Sequence, residues 1–201
     1  MPSPTTYASE VLRIARKAPL RAATLTKAGI PTVVLSRLVE AGRLERAGRG
    51  LYRLPKAPVT ELHSLALVAT LVPRATVCLL SALQAHGLTT EAPHEVWVMI
   101  DSRARKPKLA HPPLHIIRAS GEARIHGVAV RSVEGVRVAI TTPAKTVADC
   151  FRYRSHVGLD VAIEALRDYL RKHPRGVSAV VDAAKADRVF SVMRPYLEAL
   201  T

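Results

Sequence analysis

The residues of this chain whose types and spacing could do chemistry cluster between positions 32 and 53. Val33, Ser36 and Arg37, with Thr32 just before them, fall on one side of a helical run, and Arg43, Arg46, Arg49 and Arg53 follow in a ribbon-like stretch. A guanidinium can take a guanine edge or a phosphate. A hydroxyl can bond base edges or phosphates, and a branched methyl group can meet a thymine methyl. The chemistry implied is recognition of double-stranded DNA rather than bond making. A solvated basic face is the competing reading, because helix-turn-helix geometry also occurs in helical proteins that never touch DNA.

Elsewhere the chain offers little that could catalyse. Lys145 and Asp149 are four apart on one helical stretch, which reads as a surface ion pair worth ~0.2–0.5 kcal/mol. Asp101 and Glu122 would serve as nuclease metal ligands only if a lysine followed the second acid, and Ala123-Arg124 follows instead. The eight histidines are scattered, with none at ligand spacing from Cys, Asp or another His. No glycine-rich phosphate loop is present, and Gly48-Arg49-Gly50 is too short to be one. The reading is of a non-enzyme, with no cofactor and no metal site. The run Arg103, Arg105, Lys106 and Lys108 is a possible second basic surface. It reads either as a solvated loop or as a further contact with DNA, RNA or an acidic partner.

Those candidate residues need elements to position them. Tyr7, Val11, Ile14, Ala15 and Ala18 recur at helical spacing, so the chain predicts an amphipathic helix over Thr6 to Lys17, stopped by Pro19. Leu20-Arg21 reads as a brief extended segment, and Arg21 to Ala28 as a short helix with Gly29 as its C-terminal glycine. Pro31 opens the next helix, where its missing N–H costs nothing. At ~100° per residue, Leu35, Leu38 and Val39 face inward on that helix, while Val33, Ser36, Arg37 and Glu40 face outward. Gly42 stops it. Arg43 to Arg46 and Leu51 to Leu54 then alternate as two strands around Ala47-Gly48-Arg49-Gly50, with Arg49 at the tip placed to enter a minor groove or grip phosphate. Helix, tight turn, presented helix and basic hairpin together describe a winged helix-turn-helix over residues 1–56.

Lys56 to Val59 reads as a linker to a second domain over residues 60–201. There Leu62 to Leu71 and Val77 to His86 suggest helices. Glu95 to Ile100, Leu114 to Arg118 and the pair of runs flanking Glu134-Gly135 suggest strands. Thr142-Pro143 caps a helix over Ala144 to Tyr153. Leu159 to Leu170 gives another helix, and Val177 to Leu200 one or two more, with Pro195 bending or splitting the last. The fold class expected is α/β of the α+β type: an N-terminal winged helix-turn-helix, then a mixed α/β domain with a mainly antiparallel sheet.

Composition agrees with a DNA partner. The chain has 201 residues and a net charge of +14, which attracts polyanions through counterion release. Residues 1–56 hold 11 basic and 3 acidic side chains, and the remaining 145 hold 19 and 13, so the positive charge is concentrated around the helix-turn-helix. Cys78 and Cys150 lie in apolar helical contexts and read as buried thiols. There is no apolar run of spanning length and no signal pattern, so a cytoplasmic protein with no membrane partner is expected. No clear dimer seam is visible, and the oligomeric state stays open.

With these residues laid out, the chain resembles the AbiEi-type antitoxins and related transcriptional regulators of type IV toxin–antitoxin systems. The resemblance is carried by RLVEAGRLERAGRGLYRLP in the wing, LLSALQAHGLTTEAPHEVWVMI in the middle, and TTPAKTVADCFRYRSHVGLDVAIEALRDYLR towards the end. It implies a winged helix that represses its own operon by binding an operator, and a C-terminal domain that antagonises a nucleotidyltransferase-like toxin. Family DNA contacts carry over to Val33, Ser36, Arg37, Arg43, Arg46, Arg49 and Arg53. A stand-alone regulator whose C-terminal domain senses a ligand or mediates dimerisation is the alternative.

Overall fold

The computed structural model describes residues 4–48, 50–55, 60–109 and 111–201. The chain divides into two compact units. One holds residues 1–73 with the short segment 132–137, and the other holds 74–131 with 138–201. The expected domains, 1–56 and 60–201, place the helix after residue 60 and the segment 132–137 with the second domain, whereas the compact units place both with the first. The expected linker at 56–59 lies outside the described residues.

In the first unit, α1 (Pro4–Ala15) precedes the two-residue strand β1 (Leu20–Arg21). Helices α2 (Ala22–Lys27) and α3 (Thr32–Glu40) follow, then strands β2 (Glu45–Gly48) and β3 (Leu51–Arg53), and α4 (His63–Leu71). Both short helices end in the same way. Ile30 N donates to Leu25 O and Gly29 N to Thr26 O; at the end of α3, Arg43 N donates to Leu38 O and Gly42 N to Val39 O. This Schellman pairing needs a left-handed residue after the cap, which Gly29 (φ +79°) and Gly42 (φ +65°) supply without a Cβ penalty. The first of these turns fixes the angle between α2 and α3, and the second turns the chain out of α3 into the ribbon.

The three strands run β1-β3-β2, both pairs antiparallel. Alternation along β3 suggests one buried face, yet Leu51 and Tyr52 are both buried. As the central strand, β3 is flanked by partners on each edge, so it is enclosed more fully than a hairpin strand with one free edge. Val11, Leu12, Leu20, Leu25, Ile30, Val34, Leu35, Leu38, Leu44 and Tyr52 form the core of this unit. The expected inward residues Leu35 and Leu38 are there; Val34 joins them, and Val39 packs from the rim.

The second unit contains a five-stranded sheet in the order β6-β5-β4-β8-β7, apart from the hairpin tip at 132–137. Its strands are β4 (Thr76–Val77), β5 (Val96–Asp101), β6 (Leu114–Ala119), β7 (Val128–Val133) and β8 (Val136–Thr141), with α5 (Leu79–His86) and α6 (Glu122–Ile125) between them. The expectation of a mainly antiparallel sheet needs correction, because the sheet is mixed. β5 and β6 pair in parallel over their whole length, β4 and β8 pair in parallel, and β4 and β5 are antiparallel. The stretch between Asp101 and Leu114 is long enough to return the chain to the same end of the sheet, which is what a parallel neighbour requires. The helix expected over Val77 to His86 also begins later. Val77 lies in β4, Cys78 N donates to Trp97 O, and α5 starts at Leu79. Between β7 and β8, Glu134 (φ +50°) and Gly135 (φ +77°) make the expected hairpin turn, both with the positive φ of a type I′ turn.

Five helices complete the chain: α7 (Pro143–Arg152), α8 (Arg154–Val157), α9 (Leu159–Lys172), α10 (Val177–Ala186) and α11 (Phe190–Leu200). Pro195 sits inside α11 without splitting it. α7 is the central helix, packed by α5, α9, α10 and α11, and every residue from Ala144 to Phe151 is buried. Thr142 caps it by accepting from Lys145 N. Trp97, Met99, Phe151, Leu166 and Met193 are among the core residues around it. No helix among the described residues is long and apolar enough to cross a membrane. The two cysteines are free and fully buried, and burial, with the nearby Asp149 charge, pushes both thiols well up.

Candidate nucleic-acid interface

The outward side of α3 carries the predicted residues in the expected arrangement. Val34, Leu35 and Leu38 turn into the core, and this rotation leaves Thr32, Val33 and Arg37 exposed, with Ser36 half-buried between them. Val33 is 51% exposed, unlike its buried apolar neighbours. Positions 33, 36 and 37 share one face because they are three and four residues apart. Arg43, the first residue beyond the Gly42 turn, is also exposed. Neither Arg37 nor Arg43 has an ion-pair partner among the described residues.

The ribbon treats its arginines differently. Arg46 is exposed and pairs across the sheet with Tyr52, its guanidinium 5.9 Å from the ring centroid. The contact holds the arginine stem while leaving its donors outward. Arg53 is not free: Glu45 lies directly opposite it, and Arg53 Nε donates to Glu45 Oε1 at 2.5 Å. Arg49, expected at the tip, lies outside the described residues. Among the described residues Arg37 and Arg43 therefore lack an ion-pair partner, Arg46 is braced on an aromatic ring, and Arg53 is neutralised by its neighbour. The identity of the residue across the ribbon from each arginine is the signal that distinguishes them, and it depends on register.

The second basic run sits on the loop after β5. Arg103, Arg105, Lys106 and Lys108 are borne on this loop, and Arg105, Lys106 and Lys108 flank Pro107 within it. Arg118 shapes the loop from β6, donating through Nη1 to the carbonyls of Ser102 and Ala104, each at 2.8 Å. Asp101 accepts from Arg103 N at 2.9 Å and lies 3.9 Å from Arg124 Nε, so this carboxylate is engaged by basic neighbours. No group of three or more His, Cys, Asp and Glu among the described residues could hold a metal ion.

The residues most unlike their expectation are Lys145 and Asp149. They form a buried ion pair, not a surface one, and Asp187 completes the cluster. Lys145 Nζ donates to Asp149 Oδ1 and reaches Asp187 Oδ1 at 2.8 Å and Oδ2 at 2.9 Å, with the Lys145, Asp149 and Asp187 side chains all at 0% exposure. Arg152 Nη1 donates to Asp187 O, which fastens the corner between α10 and α11 to α7. Burial pulls the Lys145 ammonium down, but Asp149 and Asp187 together hold it above its ordinary value. One cation cannot balance two carboxylates out of water. Burial, with the Asp187 charge beside it, pushes Asp149 up from 3.8 to about 7 against the pull of Lys145, and its Oδ2 has no hydrogen-bond partner among the described residues. The cluster is sealed from solvent, so a dissolved substrate has no access to it in this fold.

Among known proteins, residues 9–55 match the family model described as transcriptional regulator, AbiEi antitoxin. No curated relative matches the chain. Among solved structures, that of the RV2827C protein from Mycobacterium tuberculosis is similar over 96% of this chain and 81% of that one. The sequence identity is 17% and the TM-score 0.50, a likeness of fold alone. Residues 9–55, which carry α2, α3 and the basic ribbon, are thus similar to the AbiEi antitoxin transcriptional regulators.

Proposed function

We propose that this protein is a sequence-specific DNA-binding repressor that serves as the antitoxin of a type IV toxin–antitoxin system, with the winged helix of residues 1–56 as its DNA-binding module. The observation that carries the reading is the α3 face of Thr32, Val33, Ser36 and Arg37 beside Arg43 and Arg46, inside the matched segment. α3 enters the major groove, Arg37 reads base edges, and Arg43, Arg46 and Arg49 hold phosphates. Arg53 contributes once Glu45 releases it. The protein acts without catalysis and without a cofactor, and represses its own operon. A gel shift on DNA from upstream of its own coding sequence tests this. Arg37→Ala lowers affinity at one site position by ~1–3 kcal/mol, and Arg43→Ala flattens the salt dependence by about one contact. Unchanged binding by both variants sinks the assignment.

The C-terminal domain, 60–201, antagonises a nucleotidyltransferase-like toxin, directly or indirectly. Co-expression with the adjacent open reading frame, scored for rescue of growth, tests that half. One observation favours a second reading: the family match ends at residue 55. A stand-alone regulator, whose C-terminal domain senses a ligand or mediates dimerisation, fits that boundary, and failure of rescue with intact operator binding selects it.

A further inference from the structure

A single exposed valine on a protein surface is ordinary. Val33 differs in its company. It is the second residue of α3, 51% exposed, and its apolar neighbours on the same helix, Val34, Leu35 and Leu38, are all buried. It takes no part in the core of its unit. It lies on one face with Ser36 and with Arg37, whose guanidinium has no ion-pair partner among the described residues. That face offers one apolar branched group and one exposed planar cation four residues apart. The matching partner must offer an apolar group and a planar pair of acceptors at the corresponding spacing.

The major groove of DNA supplies both. Its one apolar group is the C5 methyl of thymine, and the O6 and N7 of guanine are the pair that best fits a guanidinium. Four helical residues span ~6 Å along the axis, and base pairs stack at ~3.4 Å. Two side chains at this separation therefore meet bases one or two pairs apart. Resting on the DNA-binding reading above, we infer that Val33 reads the 5-methyl group of a thymine that lies one or two base pairs from a guanine read by Arg37. Specificity at the thymine is hydrophobic, so it is independent of salt, whereas the arginine contacts are not.

The test uses the full chain and a duplex enriched from a random-sequence library. Each thymine of the selected site is replaced in turn by deoxyuridine, which lacks only the methyl, and each guanine by its 7-deaza analogue. At one thymine the wild type loses affinity about fourfold, the worth of one buried methyl group. Val33→Ala binds the thymine duplex more weakly by a similar factor and is indifferent to deoxyuridine at that position. Arg37→Ala is indifferent to the 7-deaza change at a guanine one or two pairs away. An unaltered melting curve for Val33→Ala shows that the exposed substitution leaves the fold intact. Equal sensitivity of wild type and Val33→Ala to every deoxyuridine overturns the inference while leaving DNA binding standing. An Arg37-dependent guanine more than two pairs away overturns it in the same way. Failure to enrich any duplex overturns the DNA-binding reading itself.

Discussion

Replacing Asp149 by asparagine tests the account of the buried cluster most directly. The amide keeps an oxygen that can accept from Lys145 Nζ, and it stands for the protonated acid. With Asp149 pushed up to about 7 from an ordinary 3.8, the folded second unit binds a proton that the unfolded chain releases across that whole interval. A carboxyl group raised in this way stabilises the fold at low pH, and the benefit is lost as pH rises through about 7. Each pH unit below about 7 adds ~1.4 kcal/mol. Between pH 8 and pH 5 the wild type should therefore gain about 2–3 kcal/mol relative to Asp149→Asn. The chain has one tryptophan, Trp97, buried in the core of the second unit, so its fluorescence reports unfolding of that unit alone. Urea titrations of both proteins at several pH values give the difference directly. A stability difference that stays flat from pH 5 to pH 8 refutes the buried, proton-retaining Asp149. A difference that grows in the opposite direction would mean the carboxyl is held ionised by Lys145.

Further outcomes follow from the same geometry. Lys145→Met leaves Asp149 and Asp187 buried without a cation and should cost about 3–5 kcal/mol in the same urea assay, and a loss below about 1 kcal/mol would mean the cluster is wet. Gly135→Ala forces a Cβ to within 1.6 Å of Lys17 O at a residue with φ +77°, so the hairpin tip must shift. The first unit should lose at least about 1 kcal/mol, seen as a lowered melting temperature, and a wild-type melting curve would contradict the packing. Glu45→Gln releases Arg53 from its cross-strand partner, so the salt dependence of DNA binding should steepen by about one phosphate contact. An unchanged slope would mean Arg53 does not face the phosphates.

Much of this protein was legible without its structure, wherever one short stretch decides the outcome. The inward and outward sides of α3 follow from helical period alone, because Leu35 and Leu38 recur at core spacing within nine residues. Gly29 and Gly42 end their helices because only a left-handed residue closes a Schellman turn, and Thr142-Pro143 opens α7 because cap chemistry is local. Tertiary structure decided what depends on distant partners. The parallel pairing of β5 with β6 rests on where a long connection returns, and two-residue β4 carries no periodicity to read. Arg53 and Arg37 look alike in sequence, but cross-strand register sets Glu45 against the first, and no ion-pair partner among the described residues meets the second. Lys145 and Asp149 have the spacing of an exposed pair. They are buried because α5, α9, α10 and α11 close around α7, and because Asp187, 42 positions away, arrives to share the ammonium. Burial of a polar residue belongs to the packing of the whole unit, and a local pattern of charges cannot carry that information.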